Sequence, residues 1–163
     1  VDTQQFISLT AAYTLTSQTA AQKIFDSSTN GAVTVLTAKS YFFECLLNLN
    51  SLSATPGSFG FALGGTATLI SQLWTSHARQ SVVGVQGLNY STCNTAANTS
   101  LIADSATTTR WVIIQGRIVI NQGGTLIPQI SLTQAAAAVV AIDSYFRIVP
   151  IGTNTVTNIG NWS

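Results

Sequence analysis

Apolar residues recur at every second position in two long stretches of the chain. In the first stretch they are Tyr41, Phe43, Cys45, Leu47 and Leu49. In the second they surround Gly116 and are Val112, Ile114, Ile118 and Ile120. Because successive side chains of a β-strand point to opposite faces, a period of two indicates a strand with one buried face. Both stretches are therefore predicted to be long strands.

A glycine-rich segment at residues 121–124 follows the second strand, and alternation resumes over residues 125–132. The apolar side of the resumed segment consists of Leu126, Ile130 and Leu132. A strand, a glycine-rich turn and a second strand in this order predict a β-hairpin. Pro128 in the second arm cannot donate to a ladder, which indicates an edge, a bulge or an exposed N–H side at that point.

Shorter segments of β-forming composition lie between turn signals along the rest of the chain. They are residues 12–16, 32–37, 59–63, 66–69, 81–85, 145–151 and 155–159. About eight to ten strands at this spacing predict an antiparallel β-sandwich. Helix-forming composition is limited to residues 19–25 and 134–138, each long enough for at most about two turns, and no helix is predicted at either. Residues 89–109, rich in Ser, Thr and Asn, are predicted to be a long loop suited to recognition or subunit contact.

Charged residues form only 7% of the chain, whereas apolar residues form 46%. Globular domains have roughly 25% charged residues. So few charges are typical of a surface that other copies or a partner cover, and a neutral extracellular surface is the alternative. The six cations are scattered singly and the net charge is +1, so a nucleic-acid partner is not expected. No apolar run approaches the ~18 residues of a transmembrane helix, so membrane insertion is not expected.

The sequence offers little for catalysis or metal binding. The five acidic residues are isolated, and His77 is the only histidine, so a site with several histidines is excluded and a Ser/His/Asp triad would depend on this one residue. No G-x-S-x-G context surrounds it, and it is expected to be a surface or interface residue. We therefore expect no catalytic residue, no metal and no cofactor, and the chain is not expected to be an enzyme.

Cys45 and Cys93 have no CxxC spacing, so a disulfide and two free thiols are both possible. Cys45 is expected to lie in the core.

Aromatic and amide side chains are suited to binding neutral sugars, because a sugar ring can stack on an aromatic face. Tyr41, Trp111 and Tyr145 lie in predicted strands and are expected to be buried. Tyr90 lies in the predicted polar loop and is the better candidate for a ligand contact. The residues expected to contact a ligand or partner are Tyr90, Asn89, Asn94, Asn98 and His77.

Several phrases, spread over nearly the whole chain, carry a family resemblance. They are AYTLT at 12–16, QKIF at 22–25, YFFEC at 41–45, GFALGGTAT at 60–68, WVIIQG at 111–116, GTLIPQ at 124–129, SYFRI at 144–148 and GNWS at 160–163. In these phrases the sequence resembles the C-terminal jelly-roll domains of tailed-bacteriophage particle proteins such as tail fibres, tailspikes and head fibres. The resemblance implies a tumour-necrosis-factor-like or similar jelly roll that packs as a homotrimer on the surface of a virion. It implies no catalytic motif and no particular ligand.

The expected organisation is one jelly-roll domain over residues 1–163, with residues 1–10 as an extended N-terminal arm or linker. The expected function is a non-catalytic structural protein of a bacteriophage particle. It would serve as a trimeric fibre or receptor-binding module that contacts other virion proteins and a host surface glycan or receptor. A capsid decoration protein and a carbohydrate-binding module are the alternatives. A glycan-degrading enzyme is disfavoured, since only isolated carboxylates and one histidine are present.

Overall fold

The structure is a computed structural model that describes the backbone of residues 3–26, 31–53, 55, 57–81, 89–94, 99–104 and 109–155, and the side chains of 3–26, 31–53, 55, 58–78 and 110–155. Within these ranges the chain forms two antiparallel sheets and no helix. The strands are β1 (Gln5–Ser8), β2 (Tyr13–Thr14), β3 (Gln22–Lys23), β4 (Val33–Val35), β5 (Lys39–Asn50), β6 (Gly57–Gly64), β7 (Thr68–Ser81), β8 (Asn89–Asn94), β9 (Thr99–Asp104), β10 (Thr109–Gln122), β11 (Gly124–Leu132), β12 (Val139–Val140) and β13 (Tyr145–Thr153). They outnumber the expected eight to ten because β2, β3, β4 and β12 have only two or three residues each.

The two sheets are packed as a sandwich with the strand order of a jelly roll. The larger sheet runs β1-β13-β5-β10-β7-β8, with β12 and β2 attached beside β5, and the smaller runs β3-β11-β6-β9, with β4 also on β11. If β3 and β4 count as one interrupted strand, and the β7–β8 and β2–β12 pairs are set aside, eight strands remain. In chain order they run 1-8-3-6 in one sheet and 2-7-4-5 in the other, which is the double Greek key. The β7–β8 pair extends the larger sheet beyond this framework.

The core lies between the sheets and contains the residues that the period-two pattern predicted. All five alternating residues of β5, from Tyr41 to Leu49, are buried, as are the four even-numbered aliphatic residues of β10 and Leu126, Ile130 and Leu132 of β11. Phe43 of β5 stacks on Phe61 of β6 in the opposite sheet, with ring centroids 6.0 Å apart. The Phe61 ring in turn meets Trp74 of β7 edge-on at 5.6 Å. Aromatic contacts therefore join the two sheets at the middle of the sandwich.

The predicted hairpin around residues 121–124 is wrong. β10 ends at Gln122 and β11 begins at Gly124, but the first belongs to the larger sheet and the second to the smaller. Alternation cannot reveal this, because two strands on opposite sides of a core show the same pattern as two neighbours in one sheet. A Cβ at Gly123 would lie 2.7 Å from the Val35 carbonyl oxygen, so the glycine allows the crossing segment to pass close to β4.

The predicted long loop at residues 89–109 is wrong over much of its length, because β8 and β9 occupy it. β8 pairs with β7 and β9 pairs with β6, so this polar stretch adds one strand to each sheet. Its Ser, Thr and Asn content concealed the strands, since tertiary pairing overrides composition. A second omission is β7, which runs through Thr68–Ser81. The predicted strands had included only its first two residues and its last one.

The two segments of helix-forming composition contain no helix, as predicted. Residues 134–138 form no helix, and β3 occupies part of residues 19–25. Residues 82–85 of the predicted segment 81–85 and residues 156–159 of the predicted segment 155–159 lie outside the described residues. No helix long and apolar enough to cross a membrane occurs in the part of the chain that the structure describes.

Pro128 lies on an interior strand, yet its missing N–H disturbs no ladder. On one side of β11, β4 pairs with Gly124 to Leu126 and β3 pairs with Gln129 and Ile130. The Pro128 carbonyl accepts from the backbone N–H of Ile24 on this same side, at 3.1 Å. Because N–H and C=O of one strand residue point the same way, the proline nitrogen faces the gap between β4 and β3. None of the three predicted explanations describes this arrangement fully, because the proline nitrogen has no ladder partner but Pro128 itself is buried.

The N-terminal stretch considered as an arm contributes to the sandwich. β1 pairs with β13, and Ile7 and Leu9 are buried. The Gln5 side chain spans to the other sheet: its Oε1 accepts from the Thr34 backbone N–H at 2.9 Å, and its Nε2 donates to the Thr34 carbonyl oxygen. The described part of the arm is thus an edge strand that also joins the two sheets.

Candidate functional site

The outer face of the larger sheet, which points away from the core, carries several large apolar side chains. Phe6 on β1, Leu73 on β7 and Trp111 on β10 are 57%, 53% and 50% exposed. Phe42 and Ile113 on the two central strands are half-buried on the same face. Several large apolar side chains on one face of a sheet are typical of a surface that another chain covers. We call this surface the outer sheet face.

A polar cluster lies at the centre of the outer sheet face. Glu44 on β5 is in register with Arg147 on β13 and Gln115 on β10. Its Oε1 accepts from the Tyr145 hydroxyl at 2.7 Å, and its Oε2 accepts from the Gln115 side-chain amide at 2.6 Å. An Arg147 guanidinium nitrogen lies 3.5 Å from Oε1. The Glu44 side chain is only 14% exposed, so its carboxylate is held in one position by three neighbouring strands.

These contacts favour the ionised form of Glu44. The hydrogen bond from Tyr145 is the main reason that the pKa of Glu44 lies below its ordinary value, and Gln115 and Arg147 act in the same direction against the opposing effect of burial. The same hydrogen bond, with burial second, raises the pKa of Tyr145. The Nε of Arg147 is buried and has no hydrogen-bond partner among the described residues. A buried donor without an acceptor is costly, so this N–H is the unfinished part of the cluster.

A small cleft of about 210 Å³ opens at one end of the outer sheet face. Trp111 lines one side, Asn48 of the neighbouring β5 lies between, and the turn at residues 141–144 forms the other side. This turn is fixed to β5: the Ala141 N–H donates to the Asn48 carbonyl at 2.8 Å, and the Asn48 N–H donates to the Ser144 hydroxyl at 3.1 Å. The Oδ1 of Asn48 is buried and has no partner within the described part of the structure.

The structure brings only some of the predicted contact residues together. His77 is exposed on β7, and its backbone pairs with Ile113 on one side and with Ser91 of β8 on the other. Asn89, Tyr90 and Asn94 all lie on β8, where they pair with Arg79, Ala78 and Trp74. Asn98 lies outside the described residues. The candidates thus share a two-strand extension of the larger sheet, whereas the prediction placed four of them on a loop.

Trp111 was expected to be buried, and this is wrong. The pattern in β10 contains the reason, because the buried residues next to it, Val112 and Ile114, are even-numbered and Trp111 is odd-numbered. Tyr41 is buried as expected, while Tyr145 is half-buried and bonded to Glu44. Sequence reasoning also missed the polar cluster, since it counted Glu44 as an isolated carboxylate. Its partners come from strands about 100 and 70 residues further along the chain, and only the strand register joins them.

Cys45 is buried as predicted, and its burial raises the pKa of the thiol. The open question of a disulfide is settled by the sheet. Cys45 lies on β5 and Cys93 on β8, and β10 and β7 run between them. Three strand spacings amount to about 14 Å, about twice the largest Cα separation that a disulfide can span. The two cysteines therefore do not bond within one chain.

Acidic and metal-ligating groups are dispersed elsewhere. Asp26 forms an exposed ion pair with Lys23 at 2.6 Å, and Asp143 is exposed in the turn beside the cleft. Among the side chains that the structure describes, no three from His, Cys, Asp and Glu lie close enough together to hold a metal ion.

Comparisons with known proteins give no close relative. No family model matches the chain, and no curated protein matches it. Among solved structures, one of infectious bursal disease virus Gt strain is similar at 12% identity with a TM-score of 0.25, covering 98% of this chain and 46% of that chain. One of the Gx strain of the same virus has 10% identity and a TM-score of 0.17, covering 92% and 43%. The chain spans less than half the length of either, and TM-scores this low do not establish a shared fold.

Proposed function

We propose that the chain is a non-catalytic structural protein of a bacteriophage particle, and that it forms a homotrimer through the outer sheet face. In this role it is a fibre or receptor-binding module at the particle surface. The observation that supports the proposal best is the outer sheet face itself, where Phe6, Leu73 and Phe42 lie around a fixed polar cluster. The phage particle and the threefold symmetry come from the resemblance of the sequence phrases, and the sandwich fold agrees with that resemblance.

The low charge content supports assembly for a physical reason. With 7% charged residues, the chain has few side chains that keep an apolar surface hydrated. Covering a half-exposed Leu73 or Phe6 with a neighbouring protomer removes apolar area from water, at about 25 cal/mol per Å². Closed symmetric assembly supplies the same cover to every copy. The part of the outer sheet face around Phe42 and Leu73 is therefore the surface expected between protomers.

The polar cluster gives this interface a defined register. Glu44 is already bonded to Tyr145 and Gln115, so it can be covered without losing its partners. The Arg147 side chain is 38% exposed, so the outer part of its guanidinium can donate to a carbonyl or carboxylate of a neighbouring protomer. A covered polar group that is satisfied in only one arrangement favours that arrangement over others. We expect Arg147 to bond across the interface.

A matched pair of leucine variants tests the assembly surface. Leu73 is on the outer sheet face and 53% exposed, whereas Leu36 is 41% exposed beyond the end of β4 in the smaller sheet. Leu73→Asp would place a carboxylate without a partner in the interface, which costs several kcal/mol for each protomer. We expect this variant to elute as a folded monomer in size-exclusion chromatography, and Leu36→Asp to elute with the wild-type protein. A Leu73→Asp protein that still assembles would rule out this surface.

Labelling of purified particles tests the biological role. A gold-conjugated antibody against the folded protein is expected to bind at fibres or at the tail. Labelling spread over the head shell would instead support the decoration protein. If neither intact particles nor lysed particles carry label, the protein is not part of the virion and the proposal is contradicted.

A further inference from the structure

We infer that the cleft between Trp111 and the turn at residues 141–144 binds a single ring of a neutral saccharide. Sequence analysis did not predict this site. The inference rests on the proposed receptor-binding role and adds to it the class of ligand and the residues that bind it. The first observation is the indole of Trp111, which lines the cleft and is half exposed although its strand is paired on both sides at this position. An exposed indole offers the flat apolar surface on which the C–H face of a sugar ring packs.

The second observation is the polar set opposite this indole. Asn48, Asp143 and Ser144 all line the cleft together with Trp111. The Oδ1 of Asn48 is a buried acceptor without a partner in the described structure, and the Asp143 carboxylate is exposed to solvent at the rim. Both are acceptors, so they fit a ligand that presents several O–H donors. A small number of convergent polar groups beside an apolar wall is the usual composition of a ligand site.

Charge and size restrict the ligand further. Asp143 is the one charged residue among the described side chains that line the cleft, so an anionic ligand would meet a like charge there. A quaternary ammonium ion would suit the indole and the carboxylate, but it has no hydrogen to donate to Asn48. The volume of about 210 Å³ is below the roughly 300–1,000 Å³ of sites for drug-sized ligands, so one ring fits and a long chain does not. A neutral pyranose satisfies all three conditions.

The cleft is separate from the surface proposed for assembly. Trp111 and Arg117 lie on the same face of β10 six residues apart, which corresponds to about 20 Å along a strand. Arg117 is in register with Leu73 and Phe42, at the other end of the outer sheet face. Protomers that meet around Leu73 and Phe42 can therefore leave the cleft open at the end of the assembly.

Titration with simple glycosides tests the inference. The probes are the methyl glycosides of glucose, galactose, mannose and N-acetylglucosamine, with tetramethylammonium chloride as a cationic comparison. Binding is followed by saturation-transfer NMR and by the indole N–H signal of Trp111, which is assigned from its loss in Trp111→Phe. We expect at least one glycoside to bind and to shift this signal. Trp111→Ala should weaken binding at least about tenfold, the change that ~1.4 kcal/mol of lost contact gives.

Two further variants keep the result interpretable. Asp143→Asn removes the carboxylate but keeps a residue type that tolerates the positive φ of 70° at this position, so it should fold normally and bind more weakly. Leu36→Ala changes a leucine outside the cleft and should bind as the wild type does. Binding that survives Trp111→Ala, binding of the ammonium ion alone, or a folded protein that binds none of the four glycosides would each overturn the inference. A trimer that binds no glycoside contradicts only this inference, and a monomer that binds one contradicts only the proposed assembly.

Discussion

Replacing Phe43 by alanine should remove the contact on which the two sheets most depend. Phe43 is fully buried on β5, between Gly116 of β10 and Ile148 of β13 in the strand register. Its ring lies 6.0 Å from that of Phe61 across the core and 5.9 Å from that of Phe146 in its own sheet. Truncation to alanine therefore leaves a cavity bordered by aromatic rings that are anchored in two different sheets.

The expected loss is large in relation to the stability of a domain. Truncation of a buried phenylalanine to alanine typically lowers the free energy of unfolding by about 3–5 kcal/mol. This loss already includes the ~0.5–1.5 kcal/mol of each aromatic pair. A domain has about 5–15 kcal/mol in total. Phe43→Ala should thus lose between about a fifth and all of the free energy of unfolding, whereas Leu36→Ala, at a surface position, should change it by about 0.5 kcal/mol or less.

Denaturant unfolding followed by near-ultraviolet circular dichroism measures both variants. Because association stabilises the folded state by mass action, all proteins are compared at one protomer concentration. The midpoint of Phe43→Ala should fall well below that of Leu36→Ala, with a similar dependence on denaturant. Equal midpoints for the two variants would refute the assignment of Phe43 to the centre of the sandwich.

Three further predictions concern single residues. Gly116→Ala should destabilise the protein by about 1–3 kcal/mol in the same unfolding assay, because the added Cβ would lie 2.4 Å from the Trp74 Cβ; an unchanged midpoint would contradict this close approach. The lowered pKa of Glu44 contributes stability above its ordinary value of 4.5 that is lost as pH falls through the folded-state pKa, so the wild type should lose more stability than Glu44→Gln between pH 7 and pH 3, and equal losses would contradict it. In a Cys93→Ser variant, the buried Cys45 should react with a chromogenic disulfide reagent only after denaturant is added, and rapid reaction of the native protein would contradict its burial.

The strands of the core could be predicted because their side chains alternate with respect to a single buried face. The alternating apolar residues of β5 show this pattern without interruption and those of β10 are interrupted only by Gly116, and all nine of them are buried. The sheet to which each strand belongs cannot be predicted in the same way. Val112 and Leu126 are both buried in the same core, but from opposite sheets, and no local pattern distinguishes that arrangement from a hairpin. The predicted hairpin failed for this reason.

The candidate sites illustrate a second limit. Glu44, Gln115 and Arg147 are ordinary polar residues on three separate strands, and they become a cluster only through a register that pairs distant segments. The cleft has the same origin, because Trp111 and Asn48 meet as register partners and the turn at 141–144 closes over them. Composition predicted that part of the surface is covered, but where such a surface would lie required the order of the strands.

The mass of the native assembly in solution tests the central claim most directly. Analytical ultracentrifugation over a range from about micromolar to millimolar protomer, together with native mass spectrometry, gives the number of chains without any variant. The account predicts three copies of the 17.1 kDa chain, about 51 kDa, in a closed particle that does not grow with concentration. A single 17.1 kDa species at the highest concentration would show that the apolar outer sheet face needs no cover, and would contradict the account.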